Sequence, residues 1–370
     1  MEFNPRIPYN VPPIKSSQLK DIQEAIADDL MKAREAIAQI RGFLSGLPGT
    51  QYALMNPIFL KEAVESSEIE NINTTLLEVL QRQVAPKPDD KTSSQLVVNY
   101  IIATQWGIEH VKQLGLTNRL IKGIQHQLLP SASGEYRRVP VVIGDGRGKV
   151  HYTPPNAQEI PGLIGDWEKL VNNNSKIDPL VLSAAGHYQF ESIHPFEDGN
   201  GRTGRMLMTL HLMEAGLLSA PVIHISQYIN VNKGRYYRLL RNVTSKGELE
   251  QFVRYIVKGF AQQADHSYTL LQRIQNLQVG YQQAIKQEFP NIYSHEFVEA
   301  IFVRAVQTPV QLAKDLNIHY VTASKYLKKI KQADFVKVRK LGRHTYYVNH
   351  RLLELIEQKS PMEIEKELEV

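Results

Sequence analysis

The chain is 370 residues long, with 42% hydrophobic and 22% charged side chains and no cysteine. That length suffices for two or three domains with full cores, and the missing thiols exclude disulfides, thiolate zinc sites and a cysteine nucleophile. No stretch supplies the roughly 18 consecutive apolar residues of a membrane span, and prolines interrupt "MEFNPRIPYNVPPIK" where a signal peptide needs an unbroken apolar run, so a cytoplasmic protein is expected.

Residues 1–94 are predicted to be a helical region. "SSQLKDIQEAIADDLMKAREAIAQIRGFL" spaces its apolar residues for helix, and "NPIFLKEAVESSEIENINTTLLEVLQ" opens with Asn56 as cap and Pro57 at the first helical position. The polar, proline-containing "QVAPKPDDKTSS" closes that block, and Gln95 to Leu114 continues as helix. "RRVPVVI" and "KVHYT" flank "GDGRG" as a hairpin that the prolines at 154 and 155 stop. Helix resumes near Ile160, and another from Pro179 to Ser192 runs into "HPFEDGNGRTGR". Helical periodicity continues to residue 289, so residues 95–289 are expected to form an all-helical core carrying one small hairpin.

From Pro290 the pattern changes to helix, a short turn at Asn317 and Ile318, a basic helix over Tyr320 to Gln332, and two short strands around "KLGRH". That order is a winged helix-turn-helix over residues 290–370, and the fold class is mainly α throughout. The net charge of +5 concentrates here. Between Val310 and His350, Lys314, Lys325, Lys328, Lys329, Lys331, Lys337, Arg339, Lys340 and Arg343 face only Asp315 and Asp334. A unit so basic fits a polyanion such as DNA, while winged helices also dock proteins; both readings stand.

The stretch from His194 to Arg205 is the richest in chemistry. His194 has an ordinary pKa of about 6.5, suited to taking a proton from a hydroxyl. The glycines of "DGNG" let successive N–H groups turn toward one point, an anion nest. A helix starting near Gly201 would reinforce it and set Arg202 and Arg205 on one face. Adjacent phosphates are the natural guests, and Asp198 makes sense beside them as a magnesium ligand. Magnesium nucleotide chemistry with proton removal from an attacking hydroxyl follows. His187 and His211 sit at helical positions and read as structural.

These residues resemble the signature of the Fic family, H-P-F-x-[DE]-G-N-G-R-x-x-R, at every specified position. "HYQFESI", the hairpin ending in "YTPP" and "YYRLL" extend the resemblance over about Gly134 to Lys258. The resemblance implies a protein adenylyltransferase that passes AMP from ATP to a Ser, Thr or Tyr hydroxyl of a target, the chain itself included, with magnesium as cofactor. His194 would be the base and Asp198 the metal ligand. Gly199, Asn200 and Gly201 would form the hole for the α and β phosphates, and Arg202 and Arg205 would hold the β and γ phosphates. Thr203 and Gly204 lie in the same ATP-binding stretch. A kinase-like branch has Lys where this chain has Gly201, which favours adenylyl transfer. Val150, His151, Tyr152 and Thr153 resemble the target-binding flap, and Tyr237, ahead of Tyr236, the adenine contact.

"SSEIEN" resembles the family's inhibitory motif [ST]-x-x-x-E-[GN], giving Ser66, Glu70 and Asn71. Ser66 and Glu70 share a helix face, and the resemblance pairs Glu70 with Arg205 in the seat of the γ phosphate. Relatives of this type also remove AMP, with the same Glu positioning water. A second copy of the chain is a further expected partner. The rival reading is a DNA-binding regulator whose core only senses ATP; an intact His194 argues against it, since a sensor needs no base.

Overall fold

The computed structural model describes residues 3–47, 51–84, 92–144, 148–223, 225–341 and 344–358. Four helices come first: α1 (Ser16–Ala25), α2 (Ala27–Ser45), α3 (Gln51–Ile69) and α4 (Leu76–Gln83). The single helix expected from Asn56 onward is thus two, and it begins earlier. Pro57 lies inside α3, and Asn56 caps nothing: its amide donates to the Val303 carbonyl in the C-terminal unit (2.5 Å). The helix stops after Ile69 because Asn71 turns left-handed (φ 61). Thr75 and Glu78 then form a reciprocal capping box that starts α4. Most of the linker after α4, residues 85–91, lies outside the described residues.

The core follows as α5 (Ser93–Leu114), α6 (Asn118–Leu128), β1 (Ile143–Gly144), β2 (Val150–Tyr152), α7 (Ile160–Asn172), α8 (Pro179–Ile193), α9 (Asn200–Glu214), α10 (Ile225–Val231), α11 (Lys233–Lys246) and α12 (Leu249–Glu288). Helix α8 is buried on all sides, as its apolar composition requires, and Asp178 caps its start with Pro179 in the first turn. It packs against α7, α9 and α12. The hairpin is smaller than expected. "RRVPVVI" contributes only Ile143 to a strand, which Gly144 of the expected turn completes, since Arg137 N–H donates instead to Pro195 O (2.9 Å) and Pro140 has no N–H to give. Its tip, residues 145–147, lies outside the described residues.

The C-terminal unit contains α13 (His295–Val303), β3 (Val306–Gln307), α14 (Pro309–Asp315), α15 (Tyr320–Gln332), β4 (Lys337–Leu341), β5 (His344–Val348) and α16 (His350–Glu357), with antiparallel strands in the order β3-β5-β4. That is the helix, turn, helix and wing order expected from the sequence. The long α12 reaches into this unit, where the Tyr281 hydroxyl donates to Phe335 O (2.8 Å). Among the described residues no helix is long and apolar enough to cross a membrane.

Candidate active site

The loop between α8 and α9 is shaped by two left-handed residues. His194 (φ 50, ψ 61) ends α8, and Gly199 (φ 82), a conformation glycine adopts without strain, opens α9. Asn200 holds the loop closed: its side chain accepts from Phe196 N and donates to Phe196 O, each at 2.9 Å. Gln125 of α6 supports it from below, donating to Asp198 O (2.8 Å) and accepting from the Thr203 hydroxyl (3.1 Å). The Asn200 amide is therefore committed within the loop, leaving its main-chain N–H as the group able to face an anion.

A cavity of about 580 Å³ opens over this loop. From the motif, His194, Gly201 and Arg205 line it; from the end of α3, Glu70 and Asn71; from the flap, His151 and Tyr152; and from α11, Tyr236 and Tyr237. Gly199, Asn200, Arg202, Thr203 and Gly204 of the expected ATP-binding stretch do not line it, and the last two point away altogether. Thr203 is fully buried toward Gln125, and a Cβ on Gly204 would meet Glu191 Oε1 at 2.5 Å and His187 Nδ1 at 3.1 Å. On α9 they turn away from the face that bears Arg202 and Arg205. Thr153 also departs from its expected role at the flap edge. It lies beyond β2, donates its hydroxyl to Pro5 O (2.7 Å) and accepts at its carbonyl from Tyr9 N (2.9 Å).

The two arginines differ in occupation. Arg202 is almost wholly buried, yet its Nε and Nη1 have no partner among the described residues, and Nη2 stands 3.5 Å from Asp198 Oδ1. Buried donors without acceptors are costly, so this guanidinium is suited to an incoming anion. Arg205 is already engaged through Nε and Nη2. Its Nε donates to Ser66 Oγ (2.9 Å) and its Nη2 to Ser66 O (2.7 Å) and Glu70 Oε1 (2.9 Å). Asn71 supplies the left-handed turn that lets Ile72 N–H close on Ser67 O (3.0 Å), and Lys233 caps the same helix end at Ile69 O (2.7 Å). Farther back, Glu62 ties α3 to α10 by accepting from Ser226 N–H (3.2 Å) and its hydroxyl.

Electrostatics favour a neutral imidazole. Burial, with the nearby Arg137 charge, pushes His194 down to about 4, leaving it unprotonated near neutral pH. For Glu70, burial pulls upward, but the charge and hydrogen bond of Arg205, with Arg202 behind, leave the carboxyl below its ordinary value. Burial lifts Glu191 to about 8, so this cavity-lining carboxyl carries a proton at neutral pH and adds no negative charge beside phosphates. The Tyr236 hydroxyl is engaged with His187 Nε2 (2.8 Å), whereas Tyr237 stands 41% exposed at the cavity.

Sequence reasoning missed Arg137, Gln125, Glu191, Lys233 and Phe3, which also lines the cavity. Glu191 stands inside the quoted "HYQFESI" and was within reach of a closer reading of that segment. The others carry no local signal, because their partners are distant in the chain.

Family comparisons agree with this geometry. Residues 115–212 match the Fic/DOC family, residues 27–109 the Fic/DOC family N-terminal region, and residues 277–352 the "Protein adenylyltransferase SoFic-like, C-terminal domain". The class is that of Fic-fold proteins with the candidate loop between two core helices, and the chain carries a Fic/DOC domain preceded by that family's N-terminal region. It is 28% identical over 249 residues to the protein adenylyltransferase Fic of Drosophila persimilis, covering 64% of this chain and 46% of that one. To the protein of the same name from Drosophila virilis it is 34% identical over 152 residues, 40% of this chain and 29% of that one. It thus spans less than half the length of these relatives. A Fic family protein from Desulfovibrio desulfuricans G20 shares the fold, with a TM-score of 0.53 at 22% identity over 94% of this chain and 98% of that chain. So does a Fic domain-containing signaling protein from Bacteroides thetaiotaomicron (TM-score 0.53, 19% identity, 64% and 95% covered).

Proposed function

We propose that the chain is a protein adenylyltransferase that moves AMP from ATP onto a protein hydroxyl of Ser, Thr or Tyr, itself included, and that Glu70 restrains it. The observation that carries this reading is the convergence, on one cavity, of a neutral His194, the N-terminus of α9 at Gly201, and Arg205 held by Glu70. The names of the Drosophila relatives support the activity.

In the reaction, His194 accepts the proton of the target hydroxyl as its oxygen bonds to the α phosphorus; the bond to the β-phosphate oxygen breaks and pyrophosphate leaves. The α9 N-terminus and Arg202 take the negative charge of the phosphates, and Arg205 does so once Glu70 withdraws. Tyr237 offers its ring to the adenine. The residues present fit magnesium. The Asp198 side chain is 73% exposed, and no cluster of three acidic or histidine residues that could hold a metal is found among the described residues. One carboxylate completed by phosphate oxygens and water is how magnesium commonly sits on a nucleotide. Bound there, it would neutralise phosphate charge. Because Glu70 and His194 share the cavity, the same carboxylate could orient water for removal of AMP.

The exposed Lys325, Lys328, Lys329 and Lys331 of α15, with Lys337, Arg339 and Lys340 of β4, make the C-terminal unit a binding module for a protein target or for duplex DNA; Arg343 lies outside the described residues. Salt-sensitive affinity for duplex DNA would select the second, and no binding at low salt the first. The activity itself is tested by incubating wild type, Glu70→Gly and His194→Ala with ATP and magnesium and weighing the chain. An added AMP in Glu70→Gly that His194→Ala abolishes is expected, whereas labelling without the imidazole would refute the assignment.

A further inference from the structure

We infer that Arg137 is a positioning residue for the imidazole of His194, fixing the loop and the flap as one unit. The inference rests on the AMP-transfer reading above. Arg137 is buried in the segment that enters the flap, and every partner of its side chain among the described residues is a main-chain carbonyl. Nε donates to His194 O (2.9 Å), Nη2 to Pro155 O (2.6 Å) and, at 3.5 Å, to Ile193 O, and Nη1 to Val139 O (3.3 Å). Its own N–H adds a bond to Pro195 O (2.9 Å). One guanidinium therefore joins the exit of the flap, the end of α8 and the residue that bears the base.

The demand for such a clamp comes from His194 itself. Its backbone is left-handed, a conformation that costs a residue with a Cβ roughly 1–2 kcal/mol, so it persists only where neighbours enforce it. The carbonyls at the end of α8 have no intrahelical partners, and a cation there also meets the negative end of the helix dipole. The ring itself hydrogen-bonds the backbone of Glu191, in the last turn of α8, so its own anchor is also main chain. The aim of the imidazole is thus set through the main chain, and the main chain is set by Arg137. The planar fork reaches His194 O and Pro155 O together, which a lysine ammonium does not reproduce. Misplacement of a reacting group by about 1 Å costs on the order of 100-fold in rate.

The test places Arg137→Met and Arg137→Lys in the Glu70→Gly chain and measures AMP incorporation against ATP concentration, with ATP affinity by calorimetry and the melting temperature alongside. Arg137→Met should lower kcat about 100-fold while KM for ATP changes less than about threefold, and Arg137→Lys should recover part of the loss. An unchanged kcat in a folded variant overturns the inference, as does a loss of ATP affinity that parallels the loss of rate. Should Arg137→Met fail to fold, Arg137→Lys decides alone, and a rate equal to its parent overturns the clamp. An inactive Glu70→Gly parent would instead refute the AMP-transfer reading, so the two failures are distinguishable.

Discussion

The Glu70 carboxylate stands 2.9 Å from Arg205 Nη2 and so close over Gly201 that a Cβ there would meet its Oε1 at 2.1 Å. A negative group at the N-terminus of α9, paired with a guanidinium, holds the place that a phosphate would take. Freeing Arg205 should therefore raise the rate. Glu70→Gly is expected to increase AMP incorporation from radiolabelled ATP at least about tenfold, equivalent to about 1.4 kcal/mol of barrier, with Glu70→Gln in between. Equal labelling in wild type and Glu70→Gly would rule out the restraint.

The turn at Asn71 fixes where that carboxylate points. Its left-handed backbone (φ 61) suits Asn or Gly and penalises other residues. Asn71→Gly should thus keep both stability and restraint, whereas Asn71→Ala should cost roughly 1 kcal/mol and raise basal labelling. Urea unfolding and labelling of the two variants side by side check this; a rise with Asn71→Gly equal to that with Asn71→Ala would contradict it.

The imidazole should stay active to unusually low pH. His194 is held down to about 4 by burial and then by Arg137, and its protonated form cannot take a proton. The base is therefore fully available above that value and lost as pH falls through it. For Glu70→Gly, kcat/KM should be level from pH 7 to pH 6 and fall only toward about pH 4. Glu70 raises the His194 value, so its removal does not push the acid limb upward. An acid limb centred near 6.5 would show a solvated histidine.

What could be read from the sequence was whatever chemistry requires at short spacing. The left-handed Gly199, the two arginines a turn apart on α9, and Ser66 four residues before Glu70 all carry constraints visible within a dozen residues. Arg137 could not be read, because it serves the carbonyl of a residue 57 positions away and stands in a segment whose apolar run reads as a strand. The start of α3 was misplaced for a related reason. Pro57 suits a first turn, but the contacts of α3 with α5, α10 and α13 keep the helix continuous through it. The facing of Thr203 and Gly204 was legible and overlooked: if Arg202 and Arg205 share a face at 3.6 residues per turn, the two residues between them point elsewhere.

That facing yields the last expectation. Thr203 donates its hydroxyl to Gln125 Oε1, and Gln125 Nε2 in turn holds Asp198 O beneath the anion-binding turn. Thr203→Val keeps the shape but leaves Gln125 Oε1 buried without its donor, a change that costs about 1–3 kcal/mol. The melting temperature should drop while the affinity for ATP, measured by calorimetry on the folded protein, changes less than about threefold, since no Thr203 atom lines the cavity. If ATP affinity instead fell tenfold at unchanged stability, Thr203 would be a direct nucleotide contact, and the orientation of α9 described above would have to be abandoned.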